Sequence, residues 1–252
     1  MAALYTVTMV RNEADRFLRS ALGVWSLFSD AIIALDDHSD DATPELLSDN
    51  PKVIWAESDS PVFAWGAESG PRQKLWKLAW HASKPGDWLF WLDADMIPSR
   101  NPRDFLGHSS ATAWNFRLYD LWHVDRWSRL LYRSDGFWRG HLHPRTWLIR
   151  RPDAEPSDGW QWSDRGIHCG HFPLNLRADV IGVATVDYSI LHYAYSSTDL
   201  RVAKHDQYLA TAKLLTDSER QHAASIMDPN PNLVPLPFTP DYRLLANTPV
   251  LQ

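Results

Sequence analysis

With 252 residues, 44% of them hydrophobic and 22% charged, the chain has the size and composition of one sizeable α/β domain with a full core. Its one cysteine, Cys169, excludes an internal disulfide, and no apolar run approaches the roughly 18 residues of a membrane-spanning helix. The net charge of −6 hides an asymmetry: ten arginines against four aspartates, with no lysine or glutamate, leave the stretch from Arg100 to Arg151 at +6, so the rest carries −12. That stretch also holds Trp114, Tyr119, Trp122, Trp127, Trp138 and Trp147. Arginine interleaved with aromatic rings suits phosphate and stacked rings better than lysine would, although arginines coating a surface would read the same way. The opening Met1-Ala2-Ala3-Leu4 lacks a signal-peptide layout, so a soluble, cytoplasmic protein is expected.

Leu4 to Val10 is a β-rich run, followed by Arg11-Asn12-Glu13. Phe17, Leu18, Ala21, Leu22, Trp25 and Phe28 then share one helical face. Ala31 to Leu35 is a second short strand, ended by the acidic run Asp36-Asp37-His38-Ser39-Asp40-Asp41, and Pro44 can open a short helix. Lys52 to Trp55 makes a third strand, and residues 58–70 form a loop. A helix begins at Pro71, with Leu75, Leu78, Ala79 and Ala82 at i, i+3, i+4, i+7 spacing. The turn Pro85-Gly86-Asp87 leads into Trp88-Leu89-Phe90-Trp91-Leu92, a run apolar enough to be buried on both faces. Asp93-Ala94-Asp95 therefore sits where a central strand leaves its sheet, and Pro98 is expected to forbid further pairing.

The order strand, helix, strand, strand, helix, strand predicts a mainly parallel α/β sheet flanked by helices, with ligands at the carboxyl ends of its strands. Asp93 and Asp95 can offer oxygen ligands to a hard divalent cation there; a solvated loop with two acids is the alternative. No Gly-x-Gly-x-x-Gly follows the first strand and no P-loop occurs, which excludes the common dinucleotide and ATPase signatures. The second half is less regular. Strands are expected over 111–122, 145–151 and 189–195, and a helix capped by Ser197, Thr198 or Asp199 runs to about Leu215. Five prolines between Asp228 and Pro240 predict a wrapping segment without regular structure. No internal repeat or linker divides the chain, which reads as one domain: a first half to about residue 100, a second half over about 101–220, and a Pro-rich tail over 228–252.

Together these motifs resemble the GT-A glycosyltransferases, above all bacterial and phage family 2-like enzymes. Thr8-Met9-Val10-Arg11-Asn12-Glu13 is similar to the family's first strand and Asn-Glu turn. Leu35 to Thr43 resembles its acidic "DD-x-S-x-D-x-T" segment, and Arg72-Gln73 and the Asp93-Ala94-Asp95 triplet keep its order. Leu191-His192-Tyr193-Ala194-Tyr195 with Lys204 and Tyr208 resembles the ending of lipopolysaccharide core glucosyltransferase-like members. The likeness covers about residues 4–100 well, 188–210 moderately and the middle barely. It implies a GT-A, Rossmann-like fold and a nucleotide-sugar donor. Asp37 would contact the base or ribose, Arg11 to Glu13 would frame the nucleotide, and Arg72 would face the base or diphosphate. Asp95 would bind Mn²⁺ or Mg²⁺, with Asp93 on the ribose or metal and His192 as a third ligand. Lys204 or His205 would add positive charge at the diphosphate.

For several of these residues a structural role stays open. Asp36 and Asp37 can cap the turn that follows them, Arg72 and Lys204 can be solvated helix charges, and His192 can be a hydrogen-bonded core residue. The glutamate that serves inverting relatives as base is replaced here by Cys169 in Gly166-Ile167-His168-Cys169, so Asp135, Asp164, His168 and Asp125 are unranked substitutes, and a retaining mechanism stays open. The arginine-rich stretch suggests a polyanionic acceptor such as hydroxymethylated pyrimidines in phage DNA, in the host cytoplasm; a saccharide of the cell envelope is the alternative. A nucleotidyltransferase and a non-catalytic Trp-rich carbohydrate-binding protein are the readings from other classes.

Overall fold

The computed structural model describes residues 2–59, 68–106, 110–163, 170–211, 213 and 215–245. Among the described residues twelve strands form two sheets: β1 (Leu4–Val10), β2 (Ala31–Asp36), β3 (Val53–Glu57), β4 (Trp88–Trp91), β5 (Met96–Pro98), β6 (Ala113–Phe116), β7 (Leu118–Val124), β8 (Leu130–Arg133), β9 (Arg145–Arg150), β10 (Ile181–Val183), β11 (Ile190–His192) and β12 (Leu233–Pro235). The helices are α1 (Arg19–Phe28), α2 (Thr43–Asp49), α3 (Ser69–Ala82), α4 (Arg103–Leu106), α5 (Thr198–Ala210), α6 (Asp217–Ser225) and α7 (Tyr242–Leu245). The architecture is the expected mixed α/β, Rossmann-like one.

The larger sheet runs β10-β6-β9-β4-β1-β2-β3, with β1 parallel to both β2 and β4. From β1 the chain winds outward through β2 and β3, then returns to the other side of β1 as β4. This reversal opens a crevice at the carboxyl ends of β1 and β4, where open α/β sheets bind ligands. The apolar faces named above do the packing. Phe17, Leu18, Ala21, Leu22, Trp25 and Phe28 are all buried on one side of the sheet, and Leu75, Trp76 and Ala79 of α3 on the other. The strand β4 is buried along its whole length, as its unbroken apolar run requires. Gly86, at φ +86°, makes the turn that feeds it.

The second sheet, β12-β8-β7-β11-β5, departs from expectation. Its β7 continues the run expected as one strand with β6, but the chain changes sheets at Arg117. That residue donates from Nη1 to the Ala184 carbonyl, while its own carbonyl accepts from Ile190 N. Pro98 does not end pairing: β5 pairs antiparallel with β11 as an edge strand, where a missing N–H is tolerated. The Pro-rich segment also carries order, since Leu233–Pro235 pairs with β8. One apolar cluster spans both sheets, from Leu4 and Phe90 to Tyr119, Tyr132 and Leu191. The first helix opens as a π-helical turn, wider than an α-turn, over Ala14–Leu18 directly after Glu13; such turns recur at functional sites. The cap expected on α5 is supplied by Ser197, which accepts from Leu200 N at 3.2 Å. No helix among the described residues is long and apolar enough to cross a membrane.

Candidate active site

Three loops leave the carboxyl ends of β1, β2 and β4, and those after β1 and β2 are latched to one another. Asn12 adopts a left-handed conformation, φ 51°. It is held there by Ser39 Oγ, which accepts its N–H at 2.9 Å, and by a side-chain exchange with Asp40. Glu13 N donates to Thr43 Oγ1 and Ala14 N to Asp41 Oδ2. Asp36 accepts both from Ser39 N and from its hydroxyl. Most of the acidic run after β2 therefore builds the neighbouring turn, and Asp37 is the member left lining a cavity.

That cavity, about 420 Å³, is lined by Arg11, Asn12, Glu13, Arg16, Asp37, Glu68, Arg72, Asp93, Asp95 and Lys204. All six residues expected on a donor, Arg11, Glu13, Asp37, Arg72, Asp93 and Lys204, thus face one space. Glu13 Oε1 takes Arg16 at 3.3 Å, whereas Oε2 is buried with no hydrogen-bond partner among the described residues. Burial raises the Glu13 carboxyl to about 7; Arg16 opposes this, and repulsion from Asp95 and Asp93 adds to it. Arg72 is buried, pairs with Glu68 at 3.3 Å and lies over the Trp91 ring. Glu68, four residues before Arg72 across a helix start, went unnoticed in the sequence although its spacing was readable.

The Asp93–Asp95 turn is clamped from three directions. Met96 N donates to the Asp93 carbonyl, Tyr193 N to the Asp95 carbonyl, and the buried Trp25 Nε1 to the Met96 carbonyl. Strand register does the rest. His192 stands opposite Met96 on one side and Asp120 on the other. Its Nδ1 lies 2.7 Å from Asp120 Oδ1 and its Nε2 3.3 Å from Asp95 Oδ2. Burial alone would raise Asp95 and lower His192. The attraction between them outweighs it, so Asp95 falls well below the ordinary carboxylate range and His192 rises, aided by Asp120. Burial raises Asp93, against the pull of Arg72.

A second, wider cavity of about 650 Å³ adjoins the first and shares Arg72, Asp93, Asp95 and Lys204 with it. Aromatic side chains line it, among them Phe116, Trp138, Trp147, Phe172, Tyr195 and Tyr208, together with Asp120, Arg145 and Glu219. Tyr195 meets His192 edge-on at 5.3 Å. Asp120 was missed in the sequence; a lone acid inside the apolar strand Leu118–Val124 was the available signal.

Other expected residues stand away from these cavities or outside the described residues. Asp135 does not line either cavity. It pairs with Arg133 at 2.7 Å and accepts from Asn232 N, because the buried Arg133 needs carboxylates around it. Asp125 closes its own hairpin by accepting from Trp127 N and Arg129 N. Asp164, His168 and Cys169 lie outside the described residues. Four arginines of the arginine-rich stretch are tied to the protein itself: Arg103 binds Asp30 and the Phe28 carbonyl, Arg117 the Ala184 carbonyl, Arg133 Asp135 and Asp228, and Arg150 the Gly86 carbonyl. Of the stretch's arginines Arg145 lines the wider cavity. Its tryptophans are largely packing elements as well: Trp122 and Trp138 are buried edge to face, while Trp127 is 61% exposed between Arg126 and Arg129.

No protein-family model matches the chain. Two uncharacterised mycobacterial proteins, from Mycobacterium bovis and Mycobacterium tuberculosis, are each 32% identical to it over 216 residues, 79% of this chain and 48% of theirs. The chain thus spans about half the length of the curated relatives it matches. Among solved structures, a mycobacterial protein is similar at TM-score 0.34 and 19% identity, over 50% of this chain and 43% of that one. The synthase of 4-diphosphocytidyl-2C-methyl-D-erythritol matches at 0.36 and 12%, over 60% and 76%, and HddC from Yersinia pseudotuberculosis at 0.37 and 11%, over 83% and 98%. At these scores the likenesses carry no functional argument.

Proposed function

We propose that this chain is a cation-assisted glycosyltransferase that moves a sugar from a nucleoside-diphosphate sugar to a hydroxyl acceptor. The observation that carries this reading is the pair of cavities meeting at Asp93, Asp95, Arg72 and Lys204. A group-transfer enzyme needs donor and acceptor side by side with the breaking bond at the seam. The smaller cavity, ringed by backbone turns, Asp37 and arginine, suits a nucleotide; the aromatic walls of the wider one suit the apolar faces of a saccharide. The tethering of Arg103, Arg117, Arg133 and Arg150 favours a compact saccharide acceptor over a DNA track.

The family resemblance implies Mn²⁺ or Mg²⁺. Among the described residues no three His, Cys, Asp or Glu side chains are gathered round one point. What is preset is narrower: among the described residues Asp95 Oδ1 is buried without a hydrogen-bond partner, while its Oδ2 faces His192 Nε2. Magnesium-like cations keep several waters and take one or two protein oxygens plus substrate phosphates, so these residues fit a cation that arrives with a diphosphate. Asp95, with Asp93, would hold it; His192, expected as a third ligand, instead faces Asp120 through Nδ1 and Asp95 through Nε2. Bound there, such an ion supplies positive charge to a departing diphosphate. Lys204 and Arg72 add fixed charge at the same seam, and Glu13 and Asp37 orient the nucleoside. The turn clamped by Trp25 and Tyr193 keeps Asp95 from reorienting as charge develops.

A thermal-shift panel of UDP-, GDP-, CDP- and dTDP-sugars, with and without Mn²⁺, on wild type and Asp95→Ala, tests the reading. Metal-dependent stabilisation by one nucleotide sugar, lost in the variant, is expected. Stabilisation by a saccharide with neither nucleotide nor metal would instead make this a carbohydrate-binding protein. Formation of a nucleotide sugar from an NTP and a sugar phosphate would make it a nucleotidyltransferase.

A further inference from the structure

We infer that Asp120 is the catalytic base of the transfer: its carboxylate takes the proton of the acceptor hydroxyl as that oxygen attacks the anomeric carbon of the donor. The inference deepens the glycosyltransferase reading and rests on it. The family resemblance puts Cys169 where inverting relatives carry a glutamate, and Asp125 and Asp135 are engaged in structural contacts, so the acceptor side needs another carboxylate. Among the described residues that line the wider cavity, the acids are Asp93, Asp95, Asp120 and Glu219. The first two sit at the seam with the donor cavity, and Glu219 Oε2 accepts from Thr216 N and Thr216 Oγ1 as the cap of α6. Asp120 is the acid left on the acceptor side.

Its carboxylate is held by one oxygen. Oδ1 lies 2.7 Å from His192 Nδ1, and among the described residues no hydrogen bond engages Oδ2. His192 Nε2 in turn faces Asp95 Oδ2 at 3.3 Å, so a single imidazole ring separates Asp120 from the seam where the diphosphate would depart. Asp120 lies within β7 in direct parallel register with His192 of β11, and Tyr195 packs edge-on against the His192 ring. Side chains carried on paired strands hold their geometry better than side chains on loops. In the step, the acceptor O–H bond breaks and its proton passes to Asp120. The freed oxygen bonds to the anomeric carbon, and the bond from that carbon to the diphosphate breaks, its electron pair leaving on the nucleoside diphosphate. Attack from the face opposite the leaving group inverts the anomeric configuration.

The test takes whichever of the UDP-, GDP-, CDP- and dTDP-sugars raises the melting temperature and measures nucleoside diphosphate release, with water as acceptor and again with sodium azide. Water must lose a proton to form product, whereas azide is an anion with none to lose. Asp120→Asn is expected to release nucleoside diphosphate to water about 10²–10⁴-fold more slowly than wild type. Azide should restore release by forming a glycosyl azide, and the melting shift given by the nucleotide sugar should match that of wild type. Loss of both reactions alike would overturn the inference and leave Asp120 a structural partner of His192, as would wild-type release to water. Asp120→Ala, which makes room for the anion, repeats the comparison if the asparagine variant does not fold. The configuration of the glycosyl azide made by wild type is a further arm that needs no variant: it should be opposite to the donor's, and a retained configuration would overturn the inference. Neither stabilisation nor release with any of these sugars in wild type would remove the glycosyltransferase reading and the inference with it.

Discussion

The two cavities that meet at Asp93 and Asp95 are built by different means. The smaller one is held by short-range latches: Asn12 to Ser39, Ala14 to Asp41 and Glu13 to Thr43 are 27, 27 and 30 residues apart. Its walls are polar, and Glu13 Oε2 and Asp95 Oδ1 are buried there without hydrogen-bond partners among the described residues. The wider one depends on strand register and on rings packed edge to face, and its defining contact, Asp120 to His192, spans 72 residues. Buried polar atoms without partners cost stability. Such atoms occur at both cavities, Glu13 Oε2 in the first, Trp147 Nε1 in the second and Asp95 Oδ1 where they meet, so each carries a penalty that a ligand can relieve. Of the four residues common to both, Asp95 should have the largest consequence when replaced. Asp95→Asn keeps the shape but removes the charge, and transfer should fall by about 10²–10³-fold in kcat/KM. Wild-type turnover of a nucleotide sugar by this variant would separate the cavities functionally.

Glu13 tests the penalty on the first cavity alone. Its carboxyl is raised from 4.5 to about 7, so the folded protein holds this proton more tightly than the unfolded chain does. The corresponding stability is fully present below pH 4.5 and is lost as pH rises through about 7. Glu13→Gln has no proton to lose. Relative to wild type it should gain on the order of 2–3 kcal/mol between these limits. Melting curves of both proteins at pH 5 and pH 8 show the effect as a difference that widens at pH 8; a difference constant with pH would mean that Glu13 ionises freely.

The same contrast explains what the sequence revealed. The strand endings that carry Arg11 to Glu13, Asp37 and Asp93-Ala94-Asp95 were legible because each pairs a periodic apolar run with an abrupt polar stop, and parallel winding then brings those stops together. The roles of Ser39, Asp40 and Asp41 as latches were not legible, since an acid that binds a ligand and one that binds a backbone N–H look alike. Asp120 and the second sheet were hidden for a different reason: a one-residue slip in the register of β7 against β11 would turn Asp120 to the opposite face, and register is not written in either strand alone.

Asp135 sharpens the comparison from the other side. It belongs to a packing hub in which Arg133, buried between Trp122 and Trp138, pairs with Asp135 and Asp228. Asp135→Asn leaves the buried guanidinium with one carboxylate. It should cost about 1–2 kcal/mol of stability, with kcat unchanged once the protein is folded. A large fall in kcat with an unaltered melting temperature would restore Asp135 as a base.

Asn12 gives the smallest effect and discriminates between two causes. Its left-handed backbone and its side-chain exchange with Asp40 both hold the Arg11–Glu13 turn. Glycine at this position accepts the backbone conformation but loses the exchange; alanine loses the exchange and also strains the backbone. If the latch does the holding, Asn12→Gly and Asn12→Ala should destabilise almost equally, by about 0.5–1 kcal/mol, as expected for exposed hydrogen bonds. If the backbone conformation does, alanine should cost about 1 kcal/mol more than glycine. Denaturant midpoints of the two variants decide between them. A ligand bound against this turn should narrow the gap, because contacts made only in the folded state would then help to hold the strained conformation.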